Sequence, residues 1–371
     1  MDRKILGIIN FENDDINIDG LSQYHSLASS FFFGRYRLID FTLSNFSNSN
    51  ITHINIFTKN YVRNVFDHVG NGSHYEINIK QVLVNICPND NYIDPFYYND
   101  INAFLSYIRK IQDNPFPYVV ISPSYFIYRV DYNLVLKEHI DNNSDITILY
   151  KKADNCKEEY LNCSTLNFDD QKRVISIGKN IGKYKNSNIS LQAYIIDKDL
   201  FISLIKKAYD TSALFTLENI INDSCVDLNI KGYSITNNVY CINSLSTYIK
   251  SNLDFINEYN YLDSIEDYWP IYTKTNDSPP TIYTMDAKVK RAVIANGCII
   301  EGEIENCIVG RNVIVKKGAI IKNSIITSRS FIGSNAYLNH VLVDKGAIVT
   351  HVKKIEGTIK HPIYIKRYTR V

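Results

Sequence analysis

Glycine and proline are scarce, 15 and 9 in 371 residues, which excludes a collagen-like or low-complexity protein. No apolar run approaches the length of a membrane span. The N-terminal MDRKILGIINFEND meets acidic residues after only five apolar or small positions, too few for a signal-peptide core. The seven cysteines are odd in number and include no C-x-x-C pair, which argues against a disulfide framework or a zinc site and leaves reduced, buried thiols as the expectation. Neither sign of charge dominates, with 40 basic against 39 acidic side chains and no basic tract, so no nucleic acid and no membrane is expected as a partner. A cytoplasmic protein is the expectation. The eight histidines offer no helical pair four apart, and the C-terminal repeats hold His340 and, at their end, His351, short of the three that a trimeric metal site needs. Gly70-Asn-Gly72 lacks the third glycine of a dinucleotide fingerprint, and no P-loop pattern occurs.

What is present is enough apolar material, 45% of residues, for two cores. Short β-rich apolar runs at 5–9, 52–57, 118–121, 146–150, 191–196 and 234–240 predict strands. Helical periodicity predicts helices at 43–49, 62–69, 101–111, 132–141, 199–209 and 246–261. Strands separated by helices argue for an α/β domain, a mostly parallel sheet with helices on both faces, and direct attention to the loops beyond the strands' C-terminal ends. Boundaries are drawn at 1–262 for this domain, 263–287 for a Pro-containing linker and 288–371 for a second domain with a C-terminal tail.

In that second domain an aliphatic residue recurs every six positions. Val309, Val315 and Ile321 are followed four places on by Val313, Ala319 and Ile325; Ile332, Leu338, Val343 and Val349 continue the pattern. Corners are predicted at Asn296-Gly297, Arg311-Asn312, Lys317-Gly318, Ser334-Asn335 and Lys345-Gly346. A period of six puts one aliphatic side chain inside each face of a triangular coil, which predicts a left-handed parallel β-helix, slipping in register between Ile300 and Val309 and near Thr327. Val341 is expected to point outward.

The segment RYRLIDFTLSN at 35–45 resembles the F/Y-R-I/L-I-D-F-x-L-S-N block of ADP-glucose pyrophosphorylases (glucose-1-phosphate adenylyltransferases). NIFT at 55–58, DHVGNG at 67–72, YRVDY at 128–132 and SLSTYIKSNLDF at 244–255 extend the likeness along most of the chain. That family is expected to combine a nucleotidyltransferase-like α/β domain with a hexapeptide β-helix. Its chemistry needs a glycine-rich loop to hold the ATP phosphates and two Asp to hold Mg²⁺. Here Asn10-Phe-Glu-Asn-Asp-Asp replaces the loop, and Tyr125 and Cys241 occupy the two metal-Asp positions. A phenol and a thiol cannot serve as hard carboxylate ligands. The stretch HSLASSFFFGRYRLIDF at 25–41 is similar instead to the non-catalytic GlgD-type subunits of Firmicutes.

The resemblance implies a catalytically degenerate regulatory or structural subunit that forms a hetero-oligomer, a heterotetramer, with a catalytic GlgC-type homologue. No cofactor is expected on this chain, and Mg²⁺ only in that partner. Lys179, in IGKN, resembles the family lysine that meets the sugar phosphate, against a solvated turn lysine as the alternative; Glu218 stands at the family's acid in F-G-x-D-I-I, or merely caps a helix. Arg37 and His25 are effector candidates, with a phosphorylated sugar as the ligand, although Arg37 could instead pair with Asp40 and the family's activator lysine aligns with Tyr24. Two rival readings are an active sugar-1-phosphate nucleotidyltransferase with an atypical site, for which Asp14, Asp15 and Asp131 are the nearby carboxylates, and a hexapeptide acyltransferase.

Overall fold

The computed structural model describes residues 5–11, 16, 18, 20–59, 61–75, 83–88, 99–262, 269–351 and 354–371. Glu12, Asn13, Asp14 and Asp15 of the expected acidic loop, and 263–268 of the expected linker, lie outside the described residues. The chain forms two compact units, each discontinuous in sequence: Met1–Asp14 with Phe41–Tyr240, and Asp15–Asp40 with Cys241–Val371.

The first unit is built on nine strands: β1 (Ile5–Asn10), β2 (His53–Thr58), β3 (Leu83–Pro88), β4 (Tyr118–Pro123), β5 (Ile146–Ala153), β6 (Ser164–Phe168), β7 (Val174–Lys179), β8 (Ser187–Asp197) and β9 (Ile230–Ser234). Their order is β7-β6-β8-β4-β1-β2-β3, with β5 also paired to β8 and β9 to β5. The β3-β2-β1-β4 block is parallel; β8 runs antiparallel to both β4 and β5. Alternate strand residues face opposite sides. In β4 Val119, Val120 and Ile121 are all fully buried, so both faces are covered, which is why these strands read as continuous apolar runs. On one face Leu6, Ile8, Val119 and Ile121 share a core with Phe104, Phe201 and Ile205. On the other, Gly7 leaves room for the Phe46 ring, 3.0 Å from where a Cβ would stand.

The expected mostly parallel α/β sheet is therefore present, and helices Val62–Val69 and Tyr132–Asp141 have the predicted bounds. Two predictions need correction. The helix predicted over 101–111 is two, Asp100–Ser106 and Ile108–Gln112, broken at Tyr107 with φ −113°. The run predicted as one strand over 234–240 is split: β9 covers Ile230–Ser234, paired with β5 from Ile230↔Ile146 to Ser234↔Tyr150, and a separate short strand covers Tyr240–Cys241.

In the second unit, parallel strands from Ile282–Tyr283 to Ile363–Ile365 stack as coils of a β-helix. All five predicted corners carry a left-handed residue: Gly297 (φ 80°), Asn312 (57°), Gly318 (77°), Asn335 (61°) and Gly346 (69°). Glycine and asparagine adopt that conformation most readily, which is why the corners were legible. A second column, Asn306, Asn323 and His340, is also left-handed but gave no turn signal. Asn306 Nδ2 donates to Asn323 Oδ1 at 2.7 Å, and Asn323 Nδ2 to Asn339 Oδ1 at 3.0 Å, which links successive coils beside this column. Coils mostly repeat at 17 residues (Ile314↔Phe331↔Ile348), one short of three full hexapeptides, with a step of 15 early in the stack (Ile299↔Ile314) and one of 22 at its end (Val341↔Ile363). That shortfall is the physical source of the slips in register.

The interior column includes Val309, Val315, Ile321, Ile332, Leu338 and Val349. Val341, expected outside, is fully buried in the same column; strand Val341–Val343 is buried along its whole length, so its alternation gives no outward valine. All seven cysteines are free and buried, as expected of reduced thiols. Among the described residues no helix is long and apolar enough to cross a membrane.

Candidate functional site

The C-terminal ends of the parallel strands in the first unit carry a closed hydrogen-bond network. At the end of β1, Asn10 Nδ2 donates to Asp100 Oδ2 at 3.2 Å, and the Leu217 backbone N–H donates to Asp100 Oδ1 at 3.1 Å. Asp100 is 5% exposed, and burial pushes its carboxyl up to about 6 despite these donors. Such a group neither attracts a phosphate nor presents an open metal ligand.

Just past β4, the Tyr125 hydroxyl donates to Gln192 Oε1. Gln192 Nε2 donates onward to Glu218 Oε2 at 2.8 Å, and Ser164 Oγ donates to Glu218 Oε1 at 2.8 Å. Lys179 ends β7 directly opposite Ser164 in the β6–β7 register. Burial raises the Glu218 carboxyl, opposed by the Ser164 and Gln192 hydrogen bonds and by the Lys179 charge. Glu218 is thus brought together with Tyr125 and Lys179, and it does more than cap a helix: Thr216 is the N-cap, in a capping box with Asn219. Gln192, Ser164 and Asp100 were not found by sequence reasoning. Ser164 and Gln192 lie 28 residues apart, and Asn10 and Asp100 lie 90 apart, with no spacing pattern to reveal either pair.

Asp131, a carboxylate that an atypical enzyme would need, is committed elsewhere. Its Oδ1 accepts from the Asn133 backbone N–H at 2.9 Å as the N-cap of Tyr132–Asp141. Among the described residues no group of three His, Cys, Asp or Glu could hold a metal ion. Cys241 is a buried thiol, 6% exposed.

The second unit holds Arg37 and His25. Asp40 meets Arg37 through the main chain, the Arg37 N–H donating to Asp40 Oδ2 at 2.8 Å, and Thr273 Oγ1 donates to the same oxygen at 2.6 Å. Burial lowers the Arg37 guanidinium, with Asp40 opposing and Arg311 adding to the shift. Burial also drives His25 down to about 4, with Asp344 opposing and Arg37 and Arg367 reinforcing, so its ring is neutral at physiological pH. The buried Asp344 carboxylate accepts from the Tyr364 hydroxyl at 2.7 Å. The same unit contains a cavity of about 380 Å³ whose lining includes Arg35, Lys274, Arg311, Thr273, Asn276 and Asn296. Three cations and several polar groups make it an anion-receptive recess. Its only sequence signal was the basic start of RYRLIDF.

Comparison with known proteins agrees with this architecture. A nucleotidyl transferase family model matches residues 28–228, and a GlmU-like C-terminal hexapeptide model matches residues 282–360. The chain is 28% identical over 369 residues to the glycogen biosynthesis protein GlgD of Bacillus subtilis (strain 168), covering 98% of this chain and 96% of the relative. It is 29% identical over 318 residues to GlgD of Geobacillus stearothermophilus, covering 84% and 81% respectively.

Proposed function

The chain belongs to the nucleotidyl transferase family, and we propose that within it this protein is a regulatory or structural subunit of glucose-1-phosphate adenylyltransferase, catalytically silent by itself. It serves glycogen biosynthesis, the role for which its GlgD relatives are named, by assembling with a catalytic homologue of the GlgC type. The observation that carries this reading is the part-buried Tyr125–Gln192–Glu218–Ser164 network, in which groups that should meet metal and sugar meet each other. Phosphoryl chemistry of this class requires a metal to neutralise charge on the triphosphate. Tyr125 and Cys241 supply no carboxylate for it.

A fold relieved of catalysis still acts through its surfaces. An anionic effector such as a phosphorylated sugar would find its cations at Arg35, Lys274 and Arg311, with Arg37 nearby in sequence, while neutral His25 contributes hydrogen bonding rather than charge. The test is co-expression with the catalytic homologue, followed by size-exclusion chromatography and kinetics. A hetero-oligomer with altered maximal rate or substrate affinity is expected. Separate peaks with unchanged kinetics would remove the reading's support.

A further inference from the structure

One face of the β-helix turns apolar side chains outward. Its strands Ile282–Tyr283, Ile299–Ile300, Ile314–Val315, Phe331–Ile332 and Ile348–Val349 stack in the register Ile282↔Ile299↔Ile314↔Phe331↔Ile348. In the last four the second residue is fully buried and the first part-exposed, and Ile282 is 60% exposed, so the first residues form an outer column. With strands about 4.8 Å apart, this stripe is about 19 Å long. A second outer column, on another sheet of the β-helix, is polar instead. There Lys290↔Glu305↔Lys322↔Asn339↔Glu356 lie in register, and Lys290 and Lys322 pair with Glu305 at 3.2 and 3.3 Å. The unbroken apolar stripe therefore belongs to this face rather than to the coil, and exposed stripes of that kind mark contact surfaces.

The corner that leads into the stripe carries charge of one sign. Arg311, Arg329 and Lys345 lie on three successive coils, which are joined there by hydrogen bonds from the Arg329 N–H to the Arg311 carbonyl at 2.9 Å and from the Gly346 N–H to the Ser328 carbonyl at 3.1 Å. Among the described residues none of these three side chains is in an ion pair. On the other edge of the stripe the cations are matched, Lys316 by Glu301 at 2.7 Å and Lys317 by Asp286 at 2.9 Å. Like charges stacked on neighbouring coils repel, and carboxylates supplied from outside would relieve them. A second copy of this chain would bring the same three cations, with Glu301 and Asp286 already committed, so the complement is a different chain. We propose that this face docks the catalytic homologue, through a surface on it that carries an apolar strip edged by carboxylates. An apolar centre with a charged rim is the make-up of a specific protein interface, and the rim charges steer approach. This rests on the reading of the chain as a subunit and assigns the contact to one face.

The experiment is calorimetric titration of the full chain with the purified catalytic homologue. Ile314→Glu/Phe331→Glu sets carboxylates on the stripe and should weaken binding at least about tenfold. Arg329→Glu/Lys345→Glu reverses the corner and should weaken it by a similar factor, with the salt dependence seen in the parent reduced. Arg311 is left in place because it also lines the anion-receptive recess. The control, Lys206→Glu/Lys207→Glu, makes the same charge change at exposed positions of helix Lys198–Thr211 in the first unit and should bind as the parent does. All three variants should melt close to the parent, since each change lies at an outward position. Should the stripe variant fail to fold, the corner variant carries the test alone. A folded stripe or corner variant that binds like the parent overturns the assigned face and leaves the subunit reading standing. A parent chain that does not bind the homologue removes that reading, and the face with it.

Discussion

Replacing Val341 by Asp puts a carboxylate into the apolar column of the β-helix, and the structure sets its cost. Val341 is fully buried, its strand pairs with Ile363–Ile365, and its backbone N–H donates to Ser324 Oγ at 3.1 Å. Losing the burial of a valine costs about 1.5–3 kcal/mol. A buried carboxyl without a designed partner adds at least about 2 kcal/mol even if it takes up a proton. The sum, roughly 4–5 kcal/mol, is a large part of the roughly 5–15 kcal/mol that holds a typical domain folded. Coils of a β-helix touch only their neighbours, so the loss should spread from the coil containing Val341. Thermal unfolding followed by circular dichroism should show the transition lowered by about 10 °C. The matched control is Val289→Asp on the exposed strand Lys288–Ile294, where the side chain is 41% exposed and the change should stay within about 1 kcal/mol. A Val341→Asp protein that melts with the parent would place residue 341 on the outer surface and refute the argument.

Tyr125→Asp should yield no Mg²⁺-dependent pyrophosphate release from ATP and glucose 1-phosphate, since one carboxylate does not replace the second ligand or the phosphate loop; turnover in a preparation free of other pyrophosphorylases would refute this. Two buried groups should tilt stability with pH in opposite senses. Asp100, raised from 3.8 to about 6, binds its proton more tightly when folded, so its contribution is full below the unfolded value and lost as pH rises through 6, by about 3 kcal/mol; urea midpoints of Asp100→Asn should gain on the parent between pH 4 and 7. His139, lowered from 6.5 to about 4 by burial and bonded to Thr147 Oγ1 at 2.8 Å, contributes fully above 6.5 and loses about 3 kcal/mol as pH falls towards 4, so His139→Gln should flatten the acid side of the same urea series. Gly302→Ala would set a Cβ 2.5 Å from the Ala319 carbonyl oxygen, forcing backbone apart between coils; a loss of about 2 kcal/mol or more is expected in urea unfolding, and none would mean the coils are more loosely stacked.

The sequence by itself determined what depends on near neighbours. The corners at Gly297, Asn312, Gly318, Asn335 and Gly346 were readable because a left-handed turn selects its residue locally. Helices Val62–Val69 and Tyr132–Asp141 were readable because amphipathic spacing and, in the second, an Asp cap fix both ends within a few residues. That residues 10–15 contain no glycine, and that positions 125 and 241 hold Tyr and Cys, was equally plain. Tertiary structure alone decided matters of pairing. Strand β9 is placed at Ile230–Ser234 by its pairing with Ile146–Tyr150 of β5, and no local preference records that. Val341 reads as one of three consecutive apolar residues, and only the stacking of coils turns it inward. The 15–40 segment packs in the unit of 241–371, joining stretches far apart in the chain. The Tyr125–Gln192–Glu218–Ser164 network likewise draws on β6, β8, the helix Leu217–Asp223 and the segment after β4, and a hydrogen bond between such distant residues leaves no periodicity in the sequence, because each residue is chosen by a partner that only folding brings near.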